Sequence, residues 1–84
     1  MIIYSVELFD KHTEMLKSEI EIPKEKVHEV SKIMGWSSDA ERAFLNGIAG
    51  FNVNIEQAKS LETLLGKKFY ASDLIIQISG GEVQ

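Results

Sequence analysis

The chain has no cysteine, one proline and one tryptophan, and its apolar residues never run long enough to cross a bilayer. Without thiols it can build neither a disulfide framework nor a thiolate metal site. No segment approaches the ~20 apolar residues that a membrane span needs. The apolar start, Met1–Phe9, lacks the basic opening and small-residue cleavage site of a secretory signal, and its alternation fits a strand instead. A cytoplasmic location is the default expectation. Positive charge is also in short supply: 9 Lys and Arg stand against 13 Asp and Glu, for a net charge of −4. Binding to DNA or RNA requires neutralising phosphates with Lys and Arg, so this balance argues against a nucleic-acid partner and favours a basic protein. Mild acidity is also ordinary among cytosolic proteins, so charge alone does not decide the matter.

Residues suited to catalysis are equally sparse. The two histidines are His12, in a polar turn, and His28, on the polar side of a helix. A two-histidine ribonuclease site would need both rings to converge on one phosphate beside a cation, and nothing in the spacing requires that. There is no HExxH, no EF-hand loop and no Cys/His cluster. Asp10 with Glu14, or Glu25 with Glu29, are acidic pairs of the kind that usually stay solvated. Gly47-Ile48-Ala49-Gly50 lacks the Gly-Lys-Ser/Thr ending of a phosphate loop. The expectation is a protein with no catalytic residues, no metal and no cofactor, working through protein binding.

What the chain does contain is a regular alternation of elements. At 84 residues, 44% hydrophobic and 26% charged, residues 1–84 read as a single domain with a thin core. Residues 2–9 and 14–22 read as strands. Pairing Leu8 with Leu16, Val6 with Ser18, Tyr4 with Ile20 and Ile2 with Ile22 puts the apolar sets on one face. That register sets Glu7 opposite Lys17 and implies a three-residue loop, Lys11-His12-Thr13. Pro23 opens a helix with Val27, Val30, Ile33 and Met34 inward, stopped by Gly35. Trp36 is expected to fold back onto Val30. Ser38-Asp39-Ala40-Glu41 has capping-box spacing and predicts a short helix through Leu45, ended by Asn46-Gly47. Ile48–Val53 reads as a strand, with Gly50 marking a bulge or close approach. Asn54 to Gln57 repeats the capping box ahead of Ala58, Leu61, Leu64 and Leu65, with a stop at Gly66. A last strand over 73–79 is apolar on both faces, which suits a central position. Residues 80–84 read as a flexible tail.

The fold expected from this order is α+β: a four-stranded sheet with two main helices on one face, in the order β-β-α-(short α)-β-α-β. The other sheet face is then open, or else covered by the 37–47 segment or the tail. On the first two strands it carries Ile3, Ser5, Glu7, Phe9, Met15, Lys17, Glu19 and Glu21. Phe9 and Met15 are expected to be cross-strand neighbours. Apolar anchors ringed by charge of mostly one sign are the pattern of a protein-binding patch. The candidate partner-binding residues are therefore Glu7, Phe9, Met15, Lys17, Glu19 and Glu21, with Asp39 and Glu41 of the short helix as the alternative location.

Phe9-Asp10-Lys11-His12-Thr13-Glu14, followed by Lys17 and Glu19, resembles the opening hairpin of cloacin-type immunity proteins and of the small immunity proteins of contact-dependent inhibition systems. The resemblance covers about the first quarter of the chain. The later pattern, Gln57-Ala58 then Leu61-Glu62-Thr63-Leu64-Leu65-Gly66, departs from the cloacin type and is more similar to a broader set of bacterial proteins found near toxin genes. The resemblance implies a stoichiometric toxin inhibitor, acidic because nuclease toxins are basic, that acts as a monomer or weak homodimer. It implies a cognate toxin domain as partner; the charge balance and the short apolar runs are what exclude nucleic acid and membrane from the expected partners. The alternatives are a small ribonuclease-like enzyme built around His12 or His28, and a homo-oligomeric adaptor.

Overall fold

Alternation along the first strand translates directly into burial: Tyr4, Val6 and Leu8 are buried, while Ile3, Ser5, Glu7 and Phe9 between them are not. The computed structural model describes residues 1–48 and 50–82. Its strands are β1 (Ile2–Asp10), β2 (Leu16–Ile22), β3 (Gly50–Asn52) and β4 (Leu74–Glu82), and its helices are α1 (Val27–Met34), α2 (Ser38–Leu45) and α3 (Ile55–Leu65). The strands form one antiparallel sheet in the order β2-β1-β4-β3. This is the expected α+β arrangement, with β4 in the interior of the sheet as its apolar faces require.

The helices lie on the side of Tyr4, Val6 and Leu8. Val27 and Val30 of α1, Phe44 of α2, and Ala58 and Leu61 of α3 complete a core with Ile22, Phe69, Ile76 and Ile78. The short helix α2 belongs to this layer too. Phe44 stacks on Tyr4, with ring centroids 4.9 Å apart, and the Tyr4 hydroxyl donates to the Leu45 carbonyl at 2.7 Å. Trp36, expected on Val30, stacks on Phe44 at 4.8 Å and on Phe51 of β3 at 4.5 Å.

The hairpin register differs from the expected one by two residues. Tyr4 faces Ile22, Val6 faces Ile20, Leu8 faces Ser18, and Glu7 faces Glu19, not Lys17. An even shift preserves the faces, which is why the core set survives. The cause is the turn. Asp10 pairs with Met15, its N–H donating to the Met15 carbonyl at 2.9 Å, so the loop has four residues, not three. Glu14, with φ of 62°, supplies the left-handed residue that closes it. The Asp10 carboxylate accepts from the N–H groups of His12 (2.8 Å) and Thr13 (2.9 Å). Those bonds, Thr13 foremost, hold the Asp10 carboxyl below its ordinary range. The strand begins at Leu16, not at residue 14, and a bulge follows at once. Leu16 pairs with Phe9 and Ser18 with Leu8, which leaves Lys17 as the extra residue.

Other boundaries move by small amounts. Pro23 caps a short 3-10 turn (Lys24–Lys26) instead of starting the α-helix directly. The cap of α2 is Ser37, whose hydroxyl accepts from the Ala40 N–H at 3.2 Å, not Ser38. The Asn54–Gln57 capping box forms in full, and Gly35 and Gly66 end their helices in the left-handed conformation. The described part of the expected strand 48–53 is paired only over Gly50–Asn52. A Cβ at Gly50 would make only ordinary contacts at 3.8 Å, so no close approach explains that glycine. Residues 80–82, expected in a tail, are strand: Gly80, Gly81 and Glu82 pair with Tyr4, Ile3 and Ile2. The remaining tail residues, 83 and 84, lie outside the described residues.

The α3–β4 connection is held at its start by Glu62 and near its end by Lys11, whose Nζ donates to the Ser72 carbonyl at 2.8 Å. Glu62 Oε2 accepts from the N–H of Phe69 (2.7 Å) and of Tyr70 (2.9 Å). These two bonds, Tyr70 first, depress the Glu62 carboxyl below its ordinary value. A depressed carboxyl contributes stability above the ordinary carboxylate range, and that contribution is lost as pH falls through the lowered value. Glu62→Gln is therefore expected to be less stable than the parent at pH 7, with the gap closing as both are titrated below about pH 4. Urea unfolding at the two pH values measures this.

Candidate functional site

Among the described residues, nothing covers the sheet face away from the helices: α2 packs on Tyr4 and residues 80–82 are part of β4. Strand pairing arranges its side chains in cross-strand rows. One row runs Glu19–Glu7–Gln77–Asn52, and the next runs Glu21–Ser5–Ser79–Gly50. A third, beside the hairpin turn, is apolar: Leu16–Phe9–Ile75.

Hydrogen bonds fix the middle of this face. Ser79 Oγ donates to Glu7 Oε1 at 2.7 Å, and Gln77 Nε2 donates to Asn52 Oδ1 at 3.0 Å. Glu7 is half-buried, whereas Glu19 and Glu21 are exposed. Directly opposed residues have Cβ atoms about 5 Å apart, so Glu7 and Glu19 form a like-charge pair with no cation bound to either in the hydrogen-bond or ion-pair network of the described residues. Ser5, Ser79 and Gly81 are small, and with Ile3 and four glutamates, Glu7, Glu19, Glu21 and Glu82, they line a shallow depression.

Of the eight residues singled out by sequence, four converge on this face: Glu7, Phe9, Glu19 and Glu21. Met15 does not sit beside Phe9. It precedes β2 and is 69% exposed at the hairpin turn, and Leu16 takes its place in the row. Lys17 is the bulged residue and has no cross-strand partner. Asp39 and Glu41 are on α2, in the helical layer, where Asp39 lies 3.8 Å from Arg42 and Glu41 lies 3.8 Å from His28. The two clusters are thus separate surfaces. Leu16, Ile75, Gln77 and Ser79 are the members that sequence reasoning missed. Leu16 was assigned to the core face because the bulge that turns it outward has no marker residue. The β4 members follow only from the pairing of β4 with β1.

Two layers, with three helices on one side of a β2-β1-β4-β3 antiparallel sheet and an acidic, apolar-edged free face on the other, define the class of this protein. The chain belongs to the family described as a domain of unknown function, DUF7683, whose profile matches residues 3–79. The match takes in the three rows Glu19–Glu7–Gln77–Asn52, Glu21–Ser5–Ser79–Gly50 and Leu16–Phe9–Ile75. No curated protein and no solved structure matches the chain. No helix among the described residues is long and apolar enough to cross a membrane.

Proposed function

We propose that this protein is a stoichiometric inhibitor of the toxin-immunity kind, which captures a basic partner domain on its open sheet face. The observation that carries this reading is the row of Glu7 and Glu19, backed by Glu21 and bordered by Phe9, Leu16 and Ile75. Two carboxylates held opposite one another cost the free protein stability, and a partner's Lys or Arg seated between them would relieve that cost. The apolar row offers the anchor, and the acidic rows speed capture of a basic surface. The −4 net charge acts in the same direction at longer range.

Co-purification with the product of the adjacent gene is the direct test. The reading requires that this product harm cells when expressed alone, bind the protein one to one, and lose toxicity on co-expression. A harmless or non-binding neighbour overturns it. Substitutions then locate the interface. Phe9→Ala is expected to speed dissociation, at a cost of ~2 kcal/mol for a buried aromatic anchor. Glu19→Lys is expected to slow association and flatten its salt dependence. In the free protein the same change replaces a like-charge pair by an opposite-charge pair, so its unfolding midpoint in urea should hold or rise, by ~0.5 kcal/mol. Weaker binding in a variant that is no less stable is the signature of a residue kept for function.

A further inference from the structure

β2 is an outer strand of the sheet, and among the described residues no other strand pairs with its far side. Natural sheets blunt such edges with bulges, lysines and prolines. Here those devices lie only at the ends, as the Lys17 bulge and as Pro23 just past Ile22. Between them, Ser18–Ile22 is regular strand. Apart from the ladder to β1, no backbone hydrogen bond joins Lys17–Glu21 to any other described residue. The opposite edge differs: β3 has only three residues, too few to template an added strand as long as β2.

We infer that the β2 edge receives an extended segment of the partner as a fifth strand, and that this segment alternates basic with apolar residues. This rests on the basic-partner reading above and names the element that is recognised. An added strand places alternate side chains on the same two faces as β2. On the open face they would meet Glu19 and Glu21, which calls for Lys or Arg. On the helical face they would meet Ser18 and Ile20, beside the core residue Ile22, which calls for apolar side chains. Charge disfavours a second copy of the chain as occupant. Antiparallel self-pairing centred on Ile20 sets Glu19 against Glu21 twice, and centring on Glu19 sets that residue against itself while its offsetting Lys17–Glu21 pairs rely on the bulged Lys17, which stands outside the regular ladder.

The test uses the full chain, labelled for amide NMR, titrated with the blocked heptapeptide Lys-Val-Lys-Val-Lys-Val-Lys. Shifts and slowed hydrogen exchange are expected at the amides of residues 17–22. Affinity should fall at least tenfold with Glu19→Lys plus Glu21→Lys. It should fall at least as far when the backbone N–H of the central valine, or in a second peptide that of the next lysine, is methylated, because alternate N–H groups point to the same edge and one of these two must bond to β2. Equal affinity for both methylated peptides means association by charge alone and overturns the inference. So do unchanged β2 amides at millimolar peptide, or shifts confined to Phe9, Ile75 and Gln77. A dimer by mass in the absence of peptide, with β2 amides already protected, overturns it in favour of a second copy. None of these results touches the inhibitor reading, which stands or falls on binding and neutralisation of the adjacent gene's product.

Discussion

Phe44→Ala is expected to lower the unfolding free energy by about 3–5 kcal/mol, the cost of a large aromatic cavity in a core that cannot collapse around it. Phe44 is fully buried and is the largest of the fully buried side chains. Its ring touches Tyr4 from β1 and Trp36 from the α1–α2 connection, and Trp36 in turn stacks on Phe51 of β3. Phe44 thus ties the short helix to the interior strand β1 and, through Trp36, to the edge strand β3. A domain this small holds only about 5 kcal/mol in reserve, so the variant should be largely unfolded in modest urea. Asp39→Ala on the same helix is the control. Its side chain is 94% exposed, and its loss should cost within ~0.5 kcal/mol. Urea unfolding followed by Trp36 fluorescence measures both. Equal midpoints for Phe44→Ala and the parent would mean that α2 is not part of the cooperative unit.

The weight on Phe44 contrasts with how faint its segment is in sequence. Elements that carry both halves of a local signal were legible. Asn54 and Gln57 bracket the start of α3, Gly66 marks its end, and the Tyr4-Val6-Leu8 alternation fixes the inward face of β1. Where two adjacent residues can do the same job, sequence chose wrongly by one, as with Ser37 and Ser38. The larger errors arose where the deciding interaction is not local. The four-residue turn needs a left-handed residue at Glu14, a position where glutamate gives no hint of it. The bulge at Lys17 and the pairing of β4 with β1 depend on contacts remote in the chain.

Half of the candidate surface was legible for the same reason. Glu7, Phe9, Glu19 and Glu21 follow from period-two alternation, which a register shift of two leaves intact. Met15 and Leu16 exchanged roles because an inserted residue reverses the alternation beyond it. The observed register opposes Glu7 to Glu19 in place of a Glu7–Lys17 ion pair, which would have satisfied the carboxylate internally. An internal ion pair needs no partner, whereas an unrelieved like-charge pair is a local conflict, and such conflicts concentrate at functional sites.

Gly80→Val is expected to be the most damaging change on the sheet itself, costing about 3 kcal/mol. Glycine usually weakens a strand, and the Gly80-Gly81 pair accordingly reads as the start of a tail. In the structure Gly80 lies opposite Tyr4, under the end of α2. A Cβ at Gly80 would lie 3.0 Å from the Phe44 carbonyl oxygen and 3.0 Å from Tyr4 Cδ1. The first of these is backbone and cannot rotate away, and the Tyr4 ring is held by its stack on Phe44 and its bond to Leu45. Alanine at Gly80 must already displace one of them, at ~1–3 kcal/mol, and the two further methyl-sized groups of valine push the cost to the top of that range. Gly81→Val is the matched control, because nothing lies within 4 Å of its Cβ direction and valine favours a strand. If the 80–82 segment were a tail, both valine variants would unfold in urea with the parent. With β4 running to Glu82, Gly80→Val should unfold at markedly lower urea while Gly81→Val stays at or above the parent midpoint.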